Sequence, residues 1–271
     1  MKLTQRGTLG LAIMAGVALT GAASQATFGS LIANDNASDP AYSSGWSNGS
    51  NGGYGFGAWS LSTVGGSTSL FIGTSTGNNG NGGSPGIDTS GKAFGSFADA
   101  FNGTTATRSF TEPSLQVGQT FSIKFDNGSL NNGAIDEVEL TGSSGAEFTF
   151  GFLGGATHYF YSDAASNNAA TSLGYTNGGL SLAFTLTTAT TYSLTATELS
   201  SSSTQTITGT VAGGISGLDV LNTGAGSSTI PGGAGNYNNF YVNSLAIAPE
   251  PATLGMLAVG GIGLLTARRR K

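Results

Sequence analysis

Apolar residues alternate with polar ones through most of the chain. Phe121, Ile123 and Phe125 point one way while Ser122 and Lys124 point the other. Phe148, Phe150 and Phe152 repeat the pattern, followed by Leu182, Phe184 and Leu186 and then Tyr192, Leu194 and Ala196. A period of two marks half-buried strands, and the Thr, Val, Phe and Tyr that fill these runs favour the extended backbone. Between them stand turn signals such as Asn127-Gly128, Asn132-Gly133, Gly154-Gly155 and Gly213-Gly214. No stretch between Thr27 and Ala248 carries a helical stripe. The pattern predicts an all-β fold of about a dozen short antiparallel strands in one jelly-roll-like β-sandwich. In the closing strand, Phe240 and Val242 share one parity and Leu245 and Ile247 the other, which predicts a bulge at Asn243-Ser244. A solenoid would need a fixed repeat, and the chain has none. The Gly-rich stretches 48–57, 78–86 and 224–235 read as long, polar, flexible loops on this scaffold.

The two ends follow a different pattern. Lys2 and Arg6 precede the uncharged apolar stretch 7–19, and small residues surround Ala23 and Ala26. This is the layout of a secretory signal peptide over 1–26, cut by signal peptidase after Ala26, with Ala23 as a second option. At the other end Pro249, Glu250 and Pro251 precede an apolar run, 252–267, and then Arg268, Arg269, Arg270 and Lys271. About 16 residues of helix cover ~24 Å of a ~30 Å hydrocarbon core. The four terminal cations can snorkel to the headgroups and hold that end in the cytoplasm. The expected organisation is a signal peptide (1–26), a sandwich domain (27–248) and a sorting segment (249–271) with a transmembrane helix.

A Pro-Glu-Pro tripeptide, a short apolar helix and an Arg-rich end resemble the PEP-CTERM sorting signal of Gram-negative bacteria that make extracellular polysaccharide. The resemblance covers roughly residues 248–271. It implies recognition by a membrane-embedded exosortase that cuts near the tripeptide, with an inner-membrane-anchored precursor passing to the cell surface or extracellular matrix. It identifies a route, and leaves the activity of the body open.

Charge changes the picture of the body. Of 9 basic and 14 acidic residues, the body keeps only Lys92, Arg108 and Lys124 against 13 acids, a net charge of −10. Such a surface repels phosphate backbones and excludes nucleic acid as a partner. There is no cysteine. Thiol catalysis and cysteine-ligated metal are therefore absent, and an exported body of this size is held by its core alone.

Candidate chemistry is sparse. The only histidine, His158, stands in an aromatic run and lacks the nucleophile signature of a hydrolytic triad. Asp136, Glu137 and Glu139 are close enough in sequence to suggest paired carboxylates; Glu137 and Glu139 share a strand face, which reads most simply as a solvated sheet surface. No cofactor is expected beyond a structural calcium, for which Asp35 and Asp39 in one loop, and Asp126 and Asp136 around another, offer oxygen ligands. Trp46, Tyr54 and Trp59 lie in or beside a Gly/Asn/Ser stretch, where a flat ring can stack on a sugar while amides and hydroxyls bond its edges. Trp59 doubles as a core anchor, and Trp46 is the better candidate for exposure. Tyr159 and Tyr161 share a strand face that serves either as a second platform or as core. The favoured expectation is a non-enzymatic surface or matrix protein associated with extracellular polysaccharide. The alternatives are a structural or adhesive envelope protein without glycan binding and a secreted hydrolase or lyase using Asp136, Glu139 and His158.

Overall fold

A computed structural model describes residues 30–78, 86–99, 101–112, 114–225 and 238–250. The signal-peptide segment, Pro251, the apolar run and the basic end lie outside the described residues.

The alternating runs become strands, and their apolar parity becomes the core. The strands are β1 (Ala33–Asp35), β2 (Ser60–Val64), β3 (Thr68–Gly73), β4 (Ala93–Ala98), β5 (Gly103–Ser109), β6 (Thr120–Asp126), β7 (Ile135–Gly142) and β8 (Gly145–Leu153). After them come β9 (His158–Ser162), β10 (Ala169–Gly174), β11 (Leu180–Leu186), β12 (Thr191–Glu198), β13 (Thr204–Thr210), β14 (Gly217–Thr223) and β15 (Asn239–Ala248). They form two antiparallel sheets. One runs β13-β12-β11-β6-β15-β4-β3 with β1 also paired to β15; the other runs β10-β9-β8-β7-β14-β5-β2. The architecture is the two-sheet sandwich that the alternation predicts, with more strands.

Phe121, Ile123 and Phe125 meet Phe148, Phe150 and Phe152 between the sheets, and Phe125 and Phe150 cross edge to face at 5.9 Å. Leu182, Phe184, Leu194 and Tyr192 complete that half of the core. The parity shift of β15 is a bulge between Asn243 and Ala246. It brings Leu245 into the core after Val242, while the wholly buried Asn243, on the opposite face, donates its amide to the carbonyls of Ile87 (3.0 Å) and Lys92 (2.8 Å) and accepts from the Ala37 amide (3.0 Å).

The Gly-rich stretch 48–57 departs from expectation. It is packed against the sandwich, with bridges Asn34–Tyr54 and Phe56–Phe110. The cause is Arg108, which points inward from β5 with no exposed surface. Its guanidinium pairs with Asp35 and donates to the Gly57 carbonyl (2.7 Å), the Gly52 carbonyl (2.9 Å) and Asn51 Oδ1 (2.8 Å). A buried cation needs a partner for every donor. The Gly-rich backbone supplies those carbonyls because it lacks side chains that would hold it away.

Candidate functional site

The aromatic residues singled out in the sequence divide by burial. Trp46 is only 6% exposed; its ring meets Trp59 edge-on at 5.0 Å and Phe94 at 5.0 Å. Trp59 is buried between these rings and the Arg108 guanidinium, 5.0 Å from its ring centre, and its Nε1 donates to Tyr42 Oη at 3.2 Å. Neither indole offers a face to a ligand, so the expected exposure of Trp46 is corrected. Tyr159 and Tyr161 do share a face, and it is the inner one. Tyr159 is buried against Phe125, Phe150 and Phe152, and Tyr161 packs on the same core. The paired-tyrosine platform is absent for that reason. Of the five, Tyr54 is open to solvent at 51%.

The aspartates proposed for calcium stay in their two separate pairs, Asp35 with Asp39 and Asp126 with Asp136. Asp35 is taken by Arg108 and by Tyr42, whose hydroxyl donates at 2.5 Å. Asp39 caps the short 3-10 turn Pro40–Tyr42 through the Ala41 amide (2.9 Å) and accepts from the Gly53 amide (3.1 Å). Asp126, at the end of β6, accepts from Asn78 Nδ2 (3.1 Å) and the Gly128 amide (3.2 Å), and burial pushes its carboxyl up to about 6. Asp136 is in phase with Val138 and Leu140 and so faces the core, where burial, then Asp126 and Glu137, push its carboxyl well above the ordinary range. Among the described residues no group of three or more His, Asp or Glu is arranged to hold a metal.

The chemistry that does converge lies on the outer face of the seven-stranded sheet. Glu137 and Glu139 project there from β7, opposite Leu221 and Asp219 of β14. On their other side they face Gly151 and Thr149 of β8, and Gly151 in turn faces Phe160 of β9. A Cβ on Gly151 would sit 2.7 Å from Phe160 Cζ and 2.9 Å from Glu137 Cγ. The missing side chain thus lets the Phe160 ring lie across β8 against the Glu137 stem. Thr105 and Thr107 of β5 and Ser60 and Ser62 of β2 continue the same rows, being opposite Leu221, Asp219 and one another. Burial, then the charge of Glu139, pushes the Glu137 carboxyl up to about 7; burial, then Asp219, raises Glu139. Lys124 is on β6 of the other sheet, Lys92 just precedes β4 of that sheet, and Arg108 points inward, so among the described residues these carboxylates have no cation beside them.

The result is a ring, three carboxylates and rows of hydroxyls on one sheet face. Period-two parity could have placed Asp219 and Phe160 on outer faces. Their neighbours depend on pairings that local pattern does not give.

The proposed Asp136–Glu139–His158 set is split. Asp136 faces inward and Glu139 outward, and His158, opposite Gly174, begins β9 two strands away. Four residues along and two strands across amounts to roughly 16 Å, beyond any direct proton transfer.

Of the sorting segment, Pro249 and Glu250 are described; Pro251, Arg268, Arg269 and Arg270 lie outside the described residues. Residues 248–271 match the PEP-CTERM protein-sorting motif. The chain carries that motif, which marks an exported protein and implies exosortase processing. No curated protein matches the chain. Solved structures similar to it include the VIP36 exoplasmic/lumenal domain in its Ca2+/Man3GlcNAc-bound form, at 7% identity and TM-score 0.38, over 70% of this chain and 85% of that one. An alginate lyase of polysaccharide lyase family 7 is similar at 10% identity and TM-score 0.34, over 48% of this chain and 58% of that one, less than two thirds of its length. A basic winged bean lectin with Tn-antigen is similar at 10% identity and TM-score 0.33, over 70% and 97%. At these scores no function follows from the likeness.

Proposed function

We propose that the mature chain is a non-enzymatic protein of the cell surface or extracellular matrix that associates with extracellular polysaccharide through the outer face of the seven-stranded sheet. The observation that carries this reading is the Phe160 ring laid over Gly151 beside Glu137, flanked by Thr and Ser rows. A ring face accepts the apolar side of a sugar while carboxylates and hydroxyls accept and donate at its edges. The sorting motif supports the location, as does an acidic body that relies on hydroxyls and amides for its hydration. The test is affinity electrophoresis through gels containing the producing organism's own polysaccharide, with Phe160→Ala alongside. Retardation lost in the variant supports the reading; unretarded migration of both moves the protein to a structural or adhesive role without glycan.

One observation favours a second reading, a glycoside hydrolase or lyase. A carboxyl held near 7 beside a second carboxylate suits proton transfer at neutral pH. That reading requires turnover of the polysaccharide that Glu139→Gln abolishes.

A further inference from the structure

Strand β15 runs into the sorting tripeptide without a linker. Its last residue, Ala248, pairs with Thr120, and Pro249 follows directly. Just before Ala248, Ala246 and Ile247 are paired on both sides, with Asn34 and Ala33 of β1 and with Ser122 and Phe121 of β6, while Leu245, in the bulge, pairs with Asp35 of β1. The Ile32 amide adds a bond to the Ile247 carbonyl at 2.8 Å. Beyond the strand, Pro249 is half-buried, and the Glu250 side chain lies over Gly118, where a Cβ would sit 2.8–2.9 Å from its carbons. Gly118 sits at φ +85, a conformation that suits glycine, and its amide donates to the Leu186 carbonyl at 2.7 Å. The start of the sandwich and the start of the sorting segment thus leave from one pole, beside the turns at 116–119 and 187–191.

A peptidase that binds an extended substrate does so largely through main-chain hydrogen bonds to a free strand edge. Ala246 and Ile247, paired on both sides, offer no such edge, and Ala248 is held to Thr120. We infer that the folded sandwich withholds the residues preceding Pro249 from the membrane peptidase that processes this chain, so that fraying of the Ala248–Thr120 pair sets the cleavage rate and the pole at 116–119 is the surface the enzyme meets. This inference rests on reading the motif as a processing signal.

The test is a pulse-chase of the full-length chain in its producing cell. One variant carries six Gly-Ser residues between Ala248 and Pro249; a control carries the same insertion in the turn between Gly142 and Gly145, near the same pole. The linker variant is expected to be processed several-fold faster, up to about tenfold for a net backbone hydrogen bond no longer broken, with the control unchanged. Equal rates for all three overturn the inference and leave the processing signal standing. Absence of any cleavage in the native chain overturns both.

Discussion

The Arg108 guanidinium and the Asp35 carboxylate form an ion pair with both side chains wholly inside the sandwich. Asp35 ends β1, and Arg108 stacks against Phe56 and Trp59 at 5.1 and 5.0 Å. The pair therefore joins the first strand, the Gly-rich stretch and β5. Removing one partner of a buried pair leaves an uncompensated charge and costs about 3–5 kcal/mol. Arg108→Met should show that loss in denaturant unfolding followed by the fluorescence of Trp46 and Trp59. Adding Asp35→Leu should recover a good part of it, and failure to do so would mean that Arg108 acts chiefly through its bonds to Gly52 and Gly57.

Trp46→Ala and Phe160→Ala should separate stability from glycan contact. The first opens a cavity beside Trp59 and Phe94 and should cost about 3–5 kcal/mol. The second removes a half-buried ring from an outer face and should cost less than half as much. Retention in polysaccharide gels should fall in the second and persist in the first under conditions where it stays folded. The reverse order would place the binding face elsewhere.

Much of this fold is legible in the chain because a half-buried sheet imposes a period of two. Phe121, Ile123 and Phe125 announce β6, and the parity break near Ser244 announces the bulge. The packing of 48–57 is hidden, since glycines and asparagines that cover a buried arginine look the same as those in a solvated loop. The candidate site is hidden for a topological reason: Asp219 meets Glu139 through a pairing between β14 and β7 that lie far apart in sequence. Trp46 misleads because an aromatic in a polar stretch suggests exposure, whereas Trp59 and Phe94 supply a core that only the fold assembles.

Stability should rise as the solution is made mildly acidic. Asp126 is pushed up to about 6 and Glu137 to about 7, with Glu139 and Asp136 also raised, all chiefly by burial. Each binds its proton more tightly folded than unfolded. Their contribution is full below about pH 4 and is lost as the pH rises through the folded values. Asp88, Asp163 and Glu198 are lowered by their hydroxyl and amide donors, although burial opposes this in each, and their contribution fades on acidification below about pH 4. The melting temperature should peak near pH 4–5 and stand on the order of 5 °C higher at pH 5 than at pH 8. A flat or rising profile between those values would show that these carboxyls ionise freely in the folded state.

Processing near Pro249, Glu250 and Pro251 should remove the basic end. The exported form released from the membrane should lack the mass of Arg268, Arg269, Arg270 and Lys271 in intact-mass measurement. Their presence on that form would rule out exosortase cleavage.

Asp136 offers the sharpest test of the interior. It is wholly buried, and neither carboxyl oxygen has a hydrogen-bond partner. It stands opposite Asn222 of β14, which stands opposite Thr104 of β5, and the Asn222 Oδ1 and Thr104 Oγ1 atoms are unpartnered as well. Three polar groups thus share one row of the core with hydrogen-bonding capacity unmet. An ionised carboxylate there is costly, so Asp136 stays protonated well above the usual range and its ionisation weakens the fold at alkaline pH. Asp136→Asn supplies a permanently neutral group whose amide can donate to Asn222. It should raise stability at pH 8 by about 1–3 kcal/mol and change little at pH 4, where Asp136 carries its proton. Denaturant midpoints at the two pH values decide the matter. If the variant is instead weaker at pH 8, and the native chain loses the same stability to a chelator, the row holds a cation and Asp136 is its charged ligand.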